Sequence, residues 1–237
     1  MLFRSDAYRE EFGVGHSSVA GSQKRVFARA AAFMNGTISH IAEFDDIFRD
    51  GAYHPACPTI SAALALAESR NAPIEDLLAS IIIGYEVSTR ISKVIQPSHY
   101  QYFHTTGTVG VFGAAAACAH LLQLNASQAC DALATAGTFA SGLQQAFRSD
   151  SMTKPMHPGH AAEVGLNAAL LAQAASQSAF RCRDTPLAVG RCRSNRHACA
   201  IWHKAAATAP SGARPAALTS DLRTQAPVRR VVHGRAA

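Results

Sequence analysis

Apolar residues along the first three quarters of the chain recur with helical rather than strand spacing. Downstream of Pro73, the positions Ile74, Leu77, Leu78, Ile81, Ile82, Tyr85 and Ile91 form one stripe on a helix, and a stripe of that kind is expected to pack against another element. Asn71 as a cap, Pro73 in the first turn and the acidic pair Glu75 and Asp76, whose charge suits a helix N-terminus, mark its start. The run 58–70 is rich in Ala and Leu and ends at the breakers Asn71 and Pro73, so it reads as a separate helix. Residues 106–124 predict a third. Its glycines Gly107, Gly110 and Gly113 each cost about 1 kcal/mol against Ala in helix propensity, a cost that implies close helix packing and a central place. Asn125 is expected to close it in a left-handed conformation, with Ser127 capping a fourth helix through Ala129, Leu133 and Ala136 toward Gly142. A fifth begins near Pro158 and carries Val164, Leu166, Leu170 and Leu171 to about Ala175. No stretch from 28 to 175 alternates as a strand does. The expected fold class is all-α, a multi-helix globular domain.

The pattern stops near Ser178. Beyond it Arg181, Arg183, Arg191, Arg193 and Arg196 are interleaved with Cys, Ala and Pro without either periodicity, so the chain is expected to divide into a helical domain over 1–178 and an irregular basic tail over 179–237. Ala, Arg, Pro and Gly in this mixture are what a GC-rich coding sequence yields out of frame, and a frameshift or fusion near 174–180 is the corresponding expectation.

Charge follows the same division. The formal charge is +6, but residues 181–237 hold +9 of it, leaving −3 for the rest. The only aromatic in residues 181–237 is Trp202, so this stretch lacks a stacking platform for bases and no nucleic-acid partner is expected. The apolar fraction of 48% with 16% charged residues fits a buried core. The start carries Arg4, Asp6, Arg9, Glu10 and Glu11 instead of an apolar signal segment, and neither 109–119 nor 74–95 is both long and uncharged enough to span a bilayer. A cytoplasmic protein without membrane contact is expected. Cys57, Cys118 and Cys130 lie in apolar or helical stretches and read as unpaired buried thiols, and no disulfide framework is implied. The tail's Cys182, Cys192, Cys199, His197 and His203 lack paired zinc-ligand spacing.

Chemistry-bearing residues gather at expected helix ends: His54, His104, Lys154 and His157. A site built of these is cationic. His40 with Glu43, Asp45 and Asp46 offers nitrogen and carboxylate donors but matches no specific metal motif, and a charge cluster at a helix end is the commoner explanation. His160, Glu163 and Asn167 fall at helical spacing as a polar helix face.

These residues occur in a recognisable order. Ala31-Ala32-Phe33-Met34-Asn35-Gly36 is followed by His40 and Glu43-Phe44-Asp45-Asp46. His54-Pro55, Gly84-Tyr85-Glu86 and Ser98-His99-Tyr100 come next, then Phe103-His104-Thr105-Thr106-Gly107-Thr108 and Met152-Thr153-Lys154-Pro155-Met156-His157. Over roughly residues 17–173 this series resembles the helical domain of the MmgE/PrpD family. The resemblance implies a homodimeric lyase that needs no metal or organic cofactor and acts on a small polycarboxylate, by 2-methylcitrate-type dehydration or cis-aconitate-type decarboxylation. It places His104, Lys154 and His54 as catalytic residues, with Glu43, Asp45, Thr106 and His157 binding substrate. In the preferred assignment Lys154 or His104 moves the proton at carbon and His54 holds a carboxylate. Glu43 stands where the family commonly has Asp, and Ile47 where it commonly has Thr. The family's first helices are expected to be missing or shortened here, and its second, α+β domain, which contributes a tyrosine to the site, to have no counterpart. A non-catalytic dimerising remnant and a metal-dependent hydrolase using His40 and the acidic cluster are the alternative readings.

Overall fold

The computed structural model describes residue 10 and residues 12–149 and 151–174, so the expected tail over 179–237 lies outside the described residues. A two-residue hairpin, β1 (Ser17–Ser18) with β2 (Arg25–Val26), precedes six α-helices: α1 (Ala28–His40), α2 (Ala56–Arg70), α3 (Ile74–Ile95), α4 (Thr105–Leu121), α5 (Ala126–Thr138) and α6 (Met156–Ala174). The hairpin is tied to α2, where Glu68 accepts hydrogen bonds from the Ser18 N–H and hydroxyl, both at 2.6 Å. The architecture is all-α apart from this minor sheet.

Helix α4 is apolar on every side and lies between two cores. One joins α1, α2, α4 and α6 through Phe33, Leu66, Ala114 and Leu166, and the other joins α3, α4, α5 and α6 through Val87, Val111, Leu133 and Ala161. Most of the buried residues in these two cores are alanines, which lets helix axes approach closely. The glycines of α4 stand at such close approaches. A Cβ on Gly110 would stand 2.7 Å from Pro58 Cγ, and one on Gly113 would stand 2.5 Å from Thr59 Oγ1. The propensity cost read from the sequence is offset by this packing.

Three local expectations are corrected. Asn125 does not close α4; Gln123 takes the left-handed conformation (φ 53°), while Asn125 is extended and, in place of Ser127, caps α5 in a reciprocal box with Gln128. Asn71 likewise ends α2 in the left-handed conformation and does not start α3, whose N-cap is Pro73. The third concerns the α3 stripe: Ile74, Leu78 and Ile82 are 57%, 54% and 68% exposed, and the buried face consists of Ser80, Ile83, Gly84, Val87, Ser88 and Ser92. The reason is size. α3 rests on the glycine face of α4, where a Cβ on Gly84 would stand 2.6 Å from Gly113 O, and only small side chains fit between. The buried serines satisfy themselves by donating to carbonyls of their own helix, as Ser88 does to Gly84 O at 2.7 Å.

Cys57 and Cys118 are free and buried, as expected of small hydrophobes, whereas Cys130 is disulfide-bonded. No helix among the described residues is long and apolar enough to cross a membrane.

Candidate functional site

The C-terminal end of α1, the loop after it, the N-terminal end of α4 and the start of α6 meet at one end of the bundle, and they bring together residues far apart in the chain. Four imidazoles form a row: ring centroids of His54 and His40 lie 4.9 Å apart, His40 and His104 5.7 Å, and His104 and His157 5.2 Å. Phe147 closes one side, edge-on to His104 at 4.7 Å, with the Lys154 ammonium 4.5 Å from its ring centre.

The three acids of the Glu-Phe-Asp-Asp segment have separate tasks. Glu43, at φ 53°, reaches outward and pairs with Lys154. Its hydrogen bond with Lys154 holds the carboxyl below the ordinary glutamate range against a small burial effect. Asp46 accepts the Ala56 N–H at 3.0 Å, at the N-terminus of α2 where negative charge is favoured. Asp45, with 7% of its side chain exposed, is the acceptor at the centre of the site. Its Oδ2 takes hydrogen bonds from Cys57 Sγ–H and His40 Nδ1–H, both at 2.9 Å, while His54 Nδ1 lies 3.2 Å away without an aligned bond. Because a carboxylate can only accept, His40 carries its proton on Nδ1. Burial works to raise the Asp45 pKa, but the bonds from Cys57 and His40 and the nearby histidines bring it below the usual value.

His104, His157 and His40 are kept neutral. Burial, with Lys154 and the other imidazoles adding to it, pushes His104 down to about 2. Burial lowers His157, helped by His160, His40 and Lys154. It also lowers His40, more than the bond and charge of Asp45 raise it.

Two polar clamps hold the segments in register. The Gln96 side chain donates to Gly51 O at 3.0 Å and Thr105 Oγ1 at 2.9 Å. Thr106, fully buried, accepts the His54 N–H at 3.3 Å. His99 is stacked on Phe103 and its Nε2 is 2.7 Å from Thr108 Oγ1, which steadies the first turn of α4.

All seven residues expected at a site from the sequence, His54, His104, Lys154, Glu43, Asp45, Thr106 and His157, fall at this end of the bundle. Thr106 and Asp45 bond to the protein's own groups. Phe147 carries no motif that marks it in the sequence, and His40, which the sequence offers as a member of the ordered series and as a metal donor, joins the Asp45 network to His104. His40, Asp45 and His54 place ligand atoms within 4.8 Å of one another, a spacing that suits a divalent ion as well as hydrogen bonds.

The profile of the MmgE/PrpD N-terminal domain matches residues 3–186. The chain belongs to the MmgE/PrpD family. Among its curated relatives in this family, the cis-aconitate decarboxylase of Homo sapiens is 33% identical over 171 residues, 70% of this chain and 35% of that protein. A cis-aconitate decarboxylase-like protein of Aspergillus oryzae is 30% identical over 177 residues, covering 71% and 36%. The cis-aconitate decarboxylase of Aspergillus terreus is 31% identical over 165 residues, covering 67% and 34%. The chain thus spans about a third of the length of these MmgE/PrpD relatives.

Proposed function

We propose that this chain supplies the helix-borne part of a lyase site for a small polycarboxylate, and that the reaction is decarboxylation of a cis-aconitate-like acid. One observation carries the reading: an ammonium and four imidazoles drawn from four segments converge on a single buried end, with Asp45 and Glu43 already engaged by protein groups. Such a pocket attracts carboxylates and offers neutral N–H groups to a carbon that becomes electron-rich as carbon dioxide leaves. Lys154 exchanges Glu43 for a substrate carboxylate, His54 holds a second, and His104 gives the proton to carbon. Dehydration of a 2-methylcitrate-like acid uses the same groups with the proton moving the other way. The relatives' names favour decarboxylation.

A homodimer is part of this proposal, since the exposed Ile74, Leu78 and Ile82 stripe gives two copies an apolar face to cover. The same stripe supports the second reading, a non-catalytic piece that only associates.

The deciding experiment mixes the full chain with cis-aconitate or 2-methylcitrate and follows carbon dioxide and the new alkene by NMR, with Lys154→Ala as control. Product that disappears in the variant supports the lyase. If neither acid yields product, the catalytic reading is lost and sedimentation of the chain decides the associating one.

A further inference from the structure

Decarboxylation consumes a proton at carbon, yet His104 is only 2% exposed. Its proton therefore arrives through a neighbour. His104 Nδ1 and His157 Nδ1 lie 2.9 Å apart, although 53 residues separate them in the chain. Two imidazole nitrogens at that distance share one proton, one ring donating and the other accepting. Their placement is built into the fold. The His104 N–H donates to Gly142 O at 2.9 Å. Gly142, at φ +130°, leaves the space that His157 fills: a Cβ there would stand 3.3 Å from His157 Nδ1, and one on Gly107 would stand 3.1 Å from His157 Cβ.

His157 also lines a pocket of about 480 Å³ together with Ser141, Gln145, Ser149, Thr153 and His160. With Nδ1 turned to His104, Nε2 is the nitrogen left to exchange with water in that pocket.

We propose that His104 and His157 form a two-imidazole relay that carries a solvent proton from this pocket to the carbon being protonated. The chemistry rests on the lyase reading above. At the start His104 holds its proton on Nε2 and His157 holds the shared one on Nδ1. As the carbon–carbon bond breaks and carbon dioxide departs, the Nε2 proton of His104 forms the new C–H bond. The shared proton crosses to His104 Nδ1, and pocket water gives a proton to His157 Nε2, its hydroxide passing to the solvent. One proton enters and one is consumed, and both rings finish neutral with their tautomers exchanged. Water reaching the site after product release restores them. Lys154, His40, His54 and His160 act on the pair, and these basic groups disfavour a second proton on it. His157 acts through His104 and is a positioning residue that also conducts.

The test begins with the 15N-labelled full chain and the imidazole nitrogens seen by NMR. Coupling across an N–H···N bond between the two Nδ1 atoms is expected. Two protonated or two bare Nδ1 atoms, with no coupling, overturn the relay whether or not the chain turns over substrate. In an active chain, His157→Gln lowers kcat by about 10²-fold, leaves KM unchanged, shifts the pH profile and is partly rescued by added imidazole. An unaltered kcat and pH profile overturn the relay. Absence of turnover in the unsubstituted chain removes the lyase reading instead, and the coupling then decides the shared proton by itself.

Discussion

Lys154 and Glu43, separated by 111 residues, form an ion pair that joins the start of α6 to the loop after α1. The Glu43 side chain is 52% exposed and that of Lys154 18%, so the pair sits at the mouth of the site and not in its core. A pair so placed contributes little stability and is free to exchange its carboxylate for another.

Lys154→Ala is accordingly expected to separate activity from folding. Loss of a half-exposed pair costs under about 1 kcal/mol, whereas loss of a group that binds or moves charge at the reacting carbon costs about 10²- to 10⁴-fold in turnover. Chemical denaturation and the decarboxylation assay measure the two. A large loss of stability, or intact turnover, contradicts the placement.

Asp45 behaves in the opposite way. It is the buried acceptor of Cys57 and His40, and Asp45→Ala leaves buried donors unmatched at a cost of about 2–5 kcal/mol. Urea titration reads this directly, and a change below 1 kcal/mol shows that the network is not formed.

Acid should destabilise the fold early. His104 is lowered to about 2 from an ordinary 6.5 and His157 and His40 are lowered too, so the unfolded chain binds more protons than the native one below about pH 6.5. Stability falls as pH drops from there toward the native values, by on the order of 1 kcal/mol per pH unit for each fully affected group. Asp45 and Glu43, lowered below the usual carboxylate values, add to the loss at still lower pH. Urea midpoints at pH 7.5 and 5.5 should differ clearly, and a flat profile means that the imidazoles are solvated.

On the outer face of α3, Leu78→Lys with Ile82→Lys is expected to leave the fold intact, within about 0.5 kcal/mol for each exposed site. Self-association seen by sedimentation should weaken sharply. An unchanged sedimentation profile places the contact elsewhere.

Gly113→Val tests the central helix. Its side chain enters space bounded by Thr59 and Ser88, and overpacking of this kind costs about 1–3 kcal/mol or more. Circular dichroism melting checks it.

Much of this was legible without coordinates, because helical periodicity and the ordered series of motifs depend on local spacing. The helices over 58–70, 74–91 and 158–175 were found to within a few residues, and the centrality of α4 followed from three glycines that only close packing tolerates. The sequence also singled out the residues that converge at the site, since a lysine and histidines beside helix ends carry chemistry that apolar neighbours do not.

Partnership was decided by tertiary structure. Nothing local indicates that Asp45 serves His40 and Cys57 while Asp46 caps α2, that Phe147 walls the imidazole row, or that His157 meets His104. The apolar stripe of α3 was correctly seen and wrongly turned, because periodicity records which residues share a face but not what lies opposite. The glycine surface of α4 favours small side chains, so the face of Ser80, Ile83, Gly84, Val87, Ser88 and Ser92 went inward and Ile74, Leu78 and Ile82 were left outside. Helix formation follows from each segment's own residues; which face is buried, and which acid meets which base, depends on the shape of the neighbour.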